Sequence, residues 1–173
     1  AASDVYKRQV LKAYSDYLKQ STQKLPLLIA DLKGDVIDQI LEEENIREIK
    51  SYIHAPGYIA NTDLAALYCG AFAFLYPSLR ESFGIPMLEA MACGTPIIAG
   101  NTSAMPEIAG EGALLADPFN SNDITEKILQ LENDQTLYQQ QVEYGIQRSQ
   151  LFSWRNTAAV SYTHLRAHET SQD

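Results

Sequence analysis

The chain has 173 residues, 46% hydrophobic and 20% charged. That is ordinary globular composition, with enough length to bury a core without a disulfide or metal staple. Its 13 Lys and Arg against 22 Asp and Glu leave a net charge of -9, which argues against a nucleic-acid-binding surface. No apolar run reaches the length of a membrane-spanning helix, and no signal peptide is expected. Cys69 and Cys93 form no metal or redox motif, so two reduced thiols in a cytosolic domain are expected.

The two ends read as foreign. Asp4-Val5-Tyr6-Lys7-Arg8-Gln9 and Val160-Ser161-Tyr162-Thr163-His164 can be back-translated so that the second is the reverse complement of most of the first. Inverted repeats of this kind resemble a translated sequencing adapter, which Leu165-Arg166-Ala167-His168-Glu169-Thr170 continues. The expected division is a non-native end over 1–9, a natural domain over 10–159 and a non-native tail over 160–173. Such ends should bury few apolar side chains, and the natural protein should extend beyond 10–159.

Within that domain the elements follow in order. Residues 10–18 carry apolar side chains at helical spacing. Residues 25–30 form a short apolar run, read as a buried strand. Residues 35–51 predict one charged helix carrying Val36, Ile37, Ile40, Leu41, Ile46 and Ile49. Residues 52–60 predict a strand interrupted by Pro56-Gly57, and Asn61-Thr62-Asp63 can cap a helix over 64–69. The run at 72–76 is the clearest buried strand. After a polar loop, 86–93 predict a short helix stopped by Gly94. Strands at 96–99 and 113–116 and helices at 121–131 and 134–150 complete the chain. His54 falls in a strand and is expected to be a satisfied structural histidine.

Strands and helices alternate, and the strands are apolar throughout. The expected fold is α/β, a Rossmann-like parallel sheet with helices on both faces. Ligands of such sheets sit outside the carboxyl ends of the strands. That directs attention to the loops after Ala30, Ile59, Tyr76 and Ala99.

The loop after Tyr76 carries the chemistry. Gly84 allows close backbone approach to a ligand, and Pro86 is expected at the first helical position. The helix start presents N–H groups and a partial positive charge, a natural site for phosphate. Glu81 before the helix and Glu89 within it are acceptors, matched to the hydroxyls of a sugar or ribose. A phosphate cradle flanked by two hydroxyl acceptors describes a nucleotide-sugar site. Two isolated glutamates eight apart are more often solvated charges, but the residues between them change the odds.

Glu81-Ser82-Phe83-Gly84-Ile85-Pro86-Met87-Leu88-Glu89-Ala90-Met91-Ala92-Cys93-Gly94-Thr95-Pro96 resembles the signature of the family 4 retaining glycosyltransferases of GT-B fold, whose hallmark is Glu, seven residues, Glu. Gly57-Tyr58-Ile59, Leu64, Leu67-Tyr68, Ala71, Tyr76-Pro77-Ser78, Pro106-Glu107-Ile108, Asp117-Pro118 and Phe152-Ser153-Trp154 are also similar to that family. The likeness covers essentially all of 10–159. It implies the C-terminal, donor-binding half of an enzyme that transfers sugar from a nucleotide diphosphate sugar with retention. By that resemblance Glu81 is the catalytic-site glutamate facing the donor sugar hydroxyls. Ser82, Phe83, Gly84 and Ile85 meet sugar and phosphate, and Glu89 accepts from the ribose hydroxyls. Leu88 packs near the nucleoside, and Tyr58 and Ile59 border the base. Pro106-Glu107 is either a ligand contact or a helix-start turn.

The chain departs from the family at Ala30-Asp31, where glycine is common. It also lacks the family's Arg and Lys for the leaving diphosphate; Arg80 and Lys33 are the nearby cations, each more simply a solvated charge. The implied partners are a nucleotide-sugar donor, a sugar, glycan or lipid-linked acceptor, and an N-terminal GT-B domain beyond this chain. No cofactor and no metal are expected, since no metal-ligand cluster or Asp-x-Asp triplet is found. The expected location is cytoplasmic, with any membrane association lying in the rest of the enzyme. Two alternatives stand beside this reading: another GT-B enzyme such as a nucleotide-sugar epimerase, and a non-catalytic nucleotide-binding module.

Overall fold

A computed structural model describes residues 2–30 and 32–152. In chain order its elements are α1 (Ala2–Gln20), β1 (Leu27–Ala30), α2 (Gly34–Glu43), β2 (Ile53–Gly57), α3 (Asn61–Gly70) and β3 (Phe74–Tyr76). Then come α4 (Ile85–Ala92), β4 (Ile97–Gly100), α5 (Met105–Ala109), β5 (Leu114–Ala116), α6 (Ser121–Asn133) and α7 (Gln135–Gln150). All strand pairs are parallel. β1 pairs with β2, and β3, β4 and β5 pair in that order. Parallel neighbours need crossovers, and α2, α4 and α5 supply them. Among the described residues the strands thus form two parallel sheets, one of two strands and one of three.

Two cores cover the strands. Because neighbouring side chains on a strand point to opposite faces, Leu75, Ile98 and Leu114 pack with α1, α2 and α6, through Leu11, Tyr17, Ile40, Leu41 and Ile124. Phe74, Tyr76, Ile97, Ala99 and Leu115 face the other way, onto Met87, Ala90 and Met91 of α4 and Met105 and Ile108 of α5. β4 is therefore buried along its whole length. This is the expected parallel sheet with helices on both faces.

β1 and β2 differ from that expectation. Their residues alternate between half-buried and exposed, and Leu28 is 45% exposed. Leu27, Ile29 and Ile53 pack on the first core, while the opposite face is open. His54 lies on that open face and is exposed rather than a satisfied core residue. The helix expected over 35–51 also breaks. α2 ends at Glu43, Asn45 takes a left-handed φ of 57, and a 3-10 turn over Arg47–Tyr52 follows. Asn tolerates that conformation, and the break keeps Ile46 and Ile49 buried.

Capping differs from the expectation at α3. α3 begins at Asn61, its N-cap is Ala60, and no side chain caps it. Asn61, Thr62 and Asp63 instead form the first turn, where the Asp63 charge suits the helix dipole. At α7 the Asp134 carboxylate accepts the Leu137 N–H at 2.9 Å. Asp134→Ala is expected to cost about 0.5–2 kcal/mol. A thermal melt checks this, at about 2–4 °C per kcal/mol for a domain of this size.

At the N-terminal end, α1 runs through residues 2–9, and Arg8 pairs with Glu43 and, at 3.2 Å, with Glu44. The tail expected to be foreign, 160–173, lies outside the described residues. No helix among the described residues is long and apolar enough to cross a membrane.

Candidate functional site

The site is built at the carboxyl end of β3. Phe74 and Tyr76 share one face of the strand, and their rings stack at 5.4 Å. Phe74 also meets Tyr68 of α3 edge-on at 5.2 Å. Tyr68, Phe74 and Tyr76 thus form one aromatic strip between α3 and the mouth of the sheet.

Glu81 lies in the loop that follows this strip, and Glu89 lies on α4. The Glu81 carboxylate accepts from Ser78 Oγ at 3.3 Å and lies near enough to the Tyr76 phenol to act on its titration. Burial first, and then Glu81, push the Tyr76 pKa up. Burial and then the charge of Glu89 raise Tyr68. Cys93 is raised by burial, then by the neighbouring Cys69 thiol and by Glu89. The charge of each carboxylate thus acts on one phenol of the strip.

Between them the chain turns sharply into α4. Gly84 is the N-cap, with φ 76 in the left-handed region. A Cβ there would lie 2.6 Å from Met105 Cε. Ile85 opens the helix and Pro86 follows in its first turn. Pro86 has no N–H to offer. The N–H groups of Met87 and Leu88 return to the Gly84 carbonyl at 3.0 and 3.4 Å. The Ile85 N–H, in the first turn, has no intrahelical acceptor.

Most of the residues singled out by sequence stand on the surface around this turn. Ser82 and Glu89 are exposed, Phe83 and Ile85 are 40% and 49% exposed, and Tyr58 after β2 is 79% exposed. Ile59 is half-buried. Leu88 packs partly into the second core. Pro106 stands in the first turn of α5 with Glu107 exposed beside it, the helix-start arrangement. Arg80 and Lys33 are both exposed.

The structure adds contacts that sequence reasoning did not assign. Phe152, just beyond α7, meets Phe83 edge-on at 5.7 Å. The Arg148 guanidinium lies 5.0 Å from the Phe152 ring centre and donates to the carbonyls of Ile108 and Glu107. Ser153 and Trp154 lie outside the described residues. The loop after β4 also reaches over. Thr102 Oγ1 donates to the Ser78 carbonyl at 3.2 Å. Ser103 Oγ accepts the Glu81 N–H at 3.3 Å and donates to the Glu81 carbonyl at 2.8 Å.

The surface is an open shelf. Cavities of about 350 and 330 Å3 lie elsewhere, beside Glu126 and Asn133 and beside Ser15 and Lys24. Among the described residues, no group of three or more His, Cys, Asp or Glu could hold a metal ion.

Over residues 6–148 the chain matches the family described as Glycosyl transferases group 1. The chain belongs to that family. It is 36% identical over 152 residues to O-antigen chain mannosyltransferase B of Escherichia coli, covering 86% of this chain and 39% of the relative. The chain thus spans less than half the length of that relative. Among solved structures, the group 1 domain superposes on the C-terminal domain of a group 1 glycosyl transferase from Francisella tularensis. The TM-score is 0.73 at 23% identity, over 86% of this chain and 79% of the other. It also superposes on an Anabaena protein, HepE, solved with UDP and glucose, with TM-score 0.70 at 20% identity, over 93% of this chain and 44% of that one. These likenesses establish the GT-B fold of the domain.

Proposed function

We propose that this domain is the donor-binding, C-terminal half of a retaining glycosyltransferase of the family 4 kind, with 10–159 as its natural extent and foreign ends on either side. One observation carries the reading. After a strand of a parallel sheet, Glu81 is held by Ser78, and a left-handed glycine then opens the helix that carries Glu89.

The donor is a nucleotide diphosphate sugar. Its diphosphate lies at the start of α4, where the Ile85 N–H and the helix dipole favour negative charge. Ser82, Phe83 and Gly84 line the sugar side of the same turn. Glu81, held by Ser78, accepts from the donor sugar hydroxyls. Glu89 accepts from the ribose hydroxyls, with Leu88 behind it and Tyr58 and Ile59 bordering the base. The acceptor and the cations for the leaving diphosphate come from an N-terminal domain across the cleft. In the transfer step the bond from sugar to diphosphate breaks and the acceptor oxygen joins the same face. The acceptor proton passes to the departing phosphate. No cofactor is needed, and the enzyme works in the cytoplasm. Mannose is the first donor sugar to try, given the name of the Escherichia coli relative, and UDP is a first nucleotide, given its presence in the Anabaena structure.

The test is calorimetric titration of the chain with UDP and with GDP, followed by a transfer assay. One of the two is expected to bind weakly, and the chain alone is expected to transfer no sugar. Robust turnover by residues 10–159 without a second domain would overturn the requirement for one. Failure of a full-length enzyme to bind any nucleoside diphosphate would overturn the donor-site reading itself.

A further inference from the structure

We propose that Ser103 is a positioning residue for Glu81, and that the loop after β4 is the template on which the Glu81 loop is set. The inference rests on the reading of Glu81 as the glutamate that meets the donor sugar.

The Ser103 hydroxyl grips the Glu81 main chain from both sides, accepting from its N–H at 3.3 Å and donating to its carbonyl at 2.8 Å. A single hydroxyl can do both. One residue earlier, Thr102 Oγ1 donates to the Ser78 carbonyl at 3.2 Å, and Ser78 Oγ in turn donates to the Glu81 carboxylate. Main chain and side chain of Glu81 are thus both tied, directly or through Ser78, to residues 102 and 103. Ser103 also holds a left-handed φ of 58. A non-glycine residue seldom adopts that conformation, and the position is kept at some cost in backbone energy. Glycine would sit there more easily but would have no hydroxyl to reach Glu81.

Two substitutions separate the hydroxyl from the backbone. Ser103→Gly relieves the backbone and removes the grip. Ser103→Thr keeps the hydroxyl but puts a β-branched side chain in the left-handed region. Amide hydrogen exchange on this chain is expected to speed up at Glu81 in the glycine variant and to stay slow in the threonine variant. In the full-length enzyme, Ser103→Gly is expected to lower kcat about 10- to 100-fold, the scale of a misplaced reacting group. Nucleoside diphosphate affinity should change less than about twofold, and Tm should hold or rise. Ser103→Thr is expected to lower Tm yet keep most of kcat. A merely structural serine would make stability and turnover move together. Normal turnover in Ser103→Gly, while Glu81→Gln is impaired, overturns the positioning role alone. Normal turnover in both variants overturns the reading of Glu81 and the proposal with it.

Discussion

In the full-length enzyme, Glu89→Gln is expected to lower nucleoside diphosphate affinity by about 10- to 100-fold. A hydrogen bond to a charged group is worth roughly 1.5–3 kcal/mol, and about 1.4 kcal/mol is tenfold in affinity. The amide keeps one acceptor and loses the charge, so the contact weakens without loss of shape. Glu81→Gln is expected to act differently. Its proposed partner is the donor sugar, so turnover should fall more than nucleoside diphosphate binding. Titration of the free protein provides a check that needs no ligand. The Glu89 charge helps hold the Tyr68 phenol above its ordinary pKa. Removing that charge favours the phenolate, so Tyr68 should titrate at lower pH in Glu89→Gln. Tyr76, whose pKa is raised by burial and by Glu81, should likewise shift down in Glu81→Gln. Equal and small changes in affinity and turnover for both variants would instead describe two solvated carboxylates.

Much of this arrangement is legible in the sequence because it rests on short-range rules. The 72–76 run is apolar and bounded by Gly70 and Pro77, and it yields β3 over Phe74–Tyr76. Pro86 announces a helix start, and the structure opens α4 one residue earlier, at Ile85, with Gly84 as N-cap. The resemblance at Glu81–Glu89 selects the loop that the topology independently places at the mouth of the sheet.

What sequence does not reveal depends on long-range partners. Leu28 reads as a buried residue of an apolar run, yet one face of β1 is open. An apolar run looks the same whether one face or two are covered. Asn45 stops α2 within a pattern whose apolar residues keep their spacing, because Ile46 and Ile49 remain buried in the following turn. The contact of Phe152 with Phe83 joins residues 69 apart. Thr102 and Ser103 carry no periodic signal at all. Topology points to the loop after Ala99, but short polar residues in a loop give no hint that their hydroxyls cross to Ser78 and Glu81.

That crossing makes Gly100→Ala the most damaging single methyl group expected in the domain. Gly100 ends β4 in a buried position, where a Cβ would lie 2.7 Å from the Ser78 carbonyl oxygen. The obstacle is backbone, and it cannot rotate aside. Ser78 is also fixed by its own N–H to the Tyr76 carbonyl at 2.8 Å and by Thr102 Oγ1. The strand end and the 77–79 loop must therefore separate. Overpacking of this kind costs about 1–3 kcal/mol. The displacement passes through Ser78 to the Glu81 carboxylate, so kcat should fall by about 10- to 100-fold as well. Gly84→Ala makes the contrast. Its Cβ would meet Met105 Cε at 2.6 Å, the free end of a flexible side chain that can turn away. What remains is the left-handed backbone, at about 1–2 kcal/mol. Thermal melts and amide exchange of both variants distinguish the two cases. Gly100→Ala should loosen the amides of Ser78 and Glu81, and Gly84→Ala chiefly those at the start of α4. A Gly100→Ala protein with unchanged exchange at Glu81 and unchanged melting would show that the two loops are not in the close contact described.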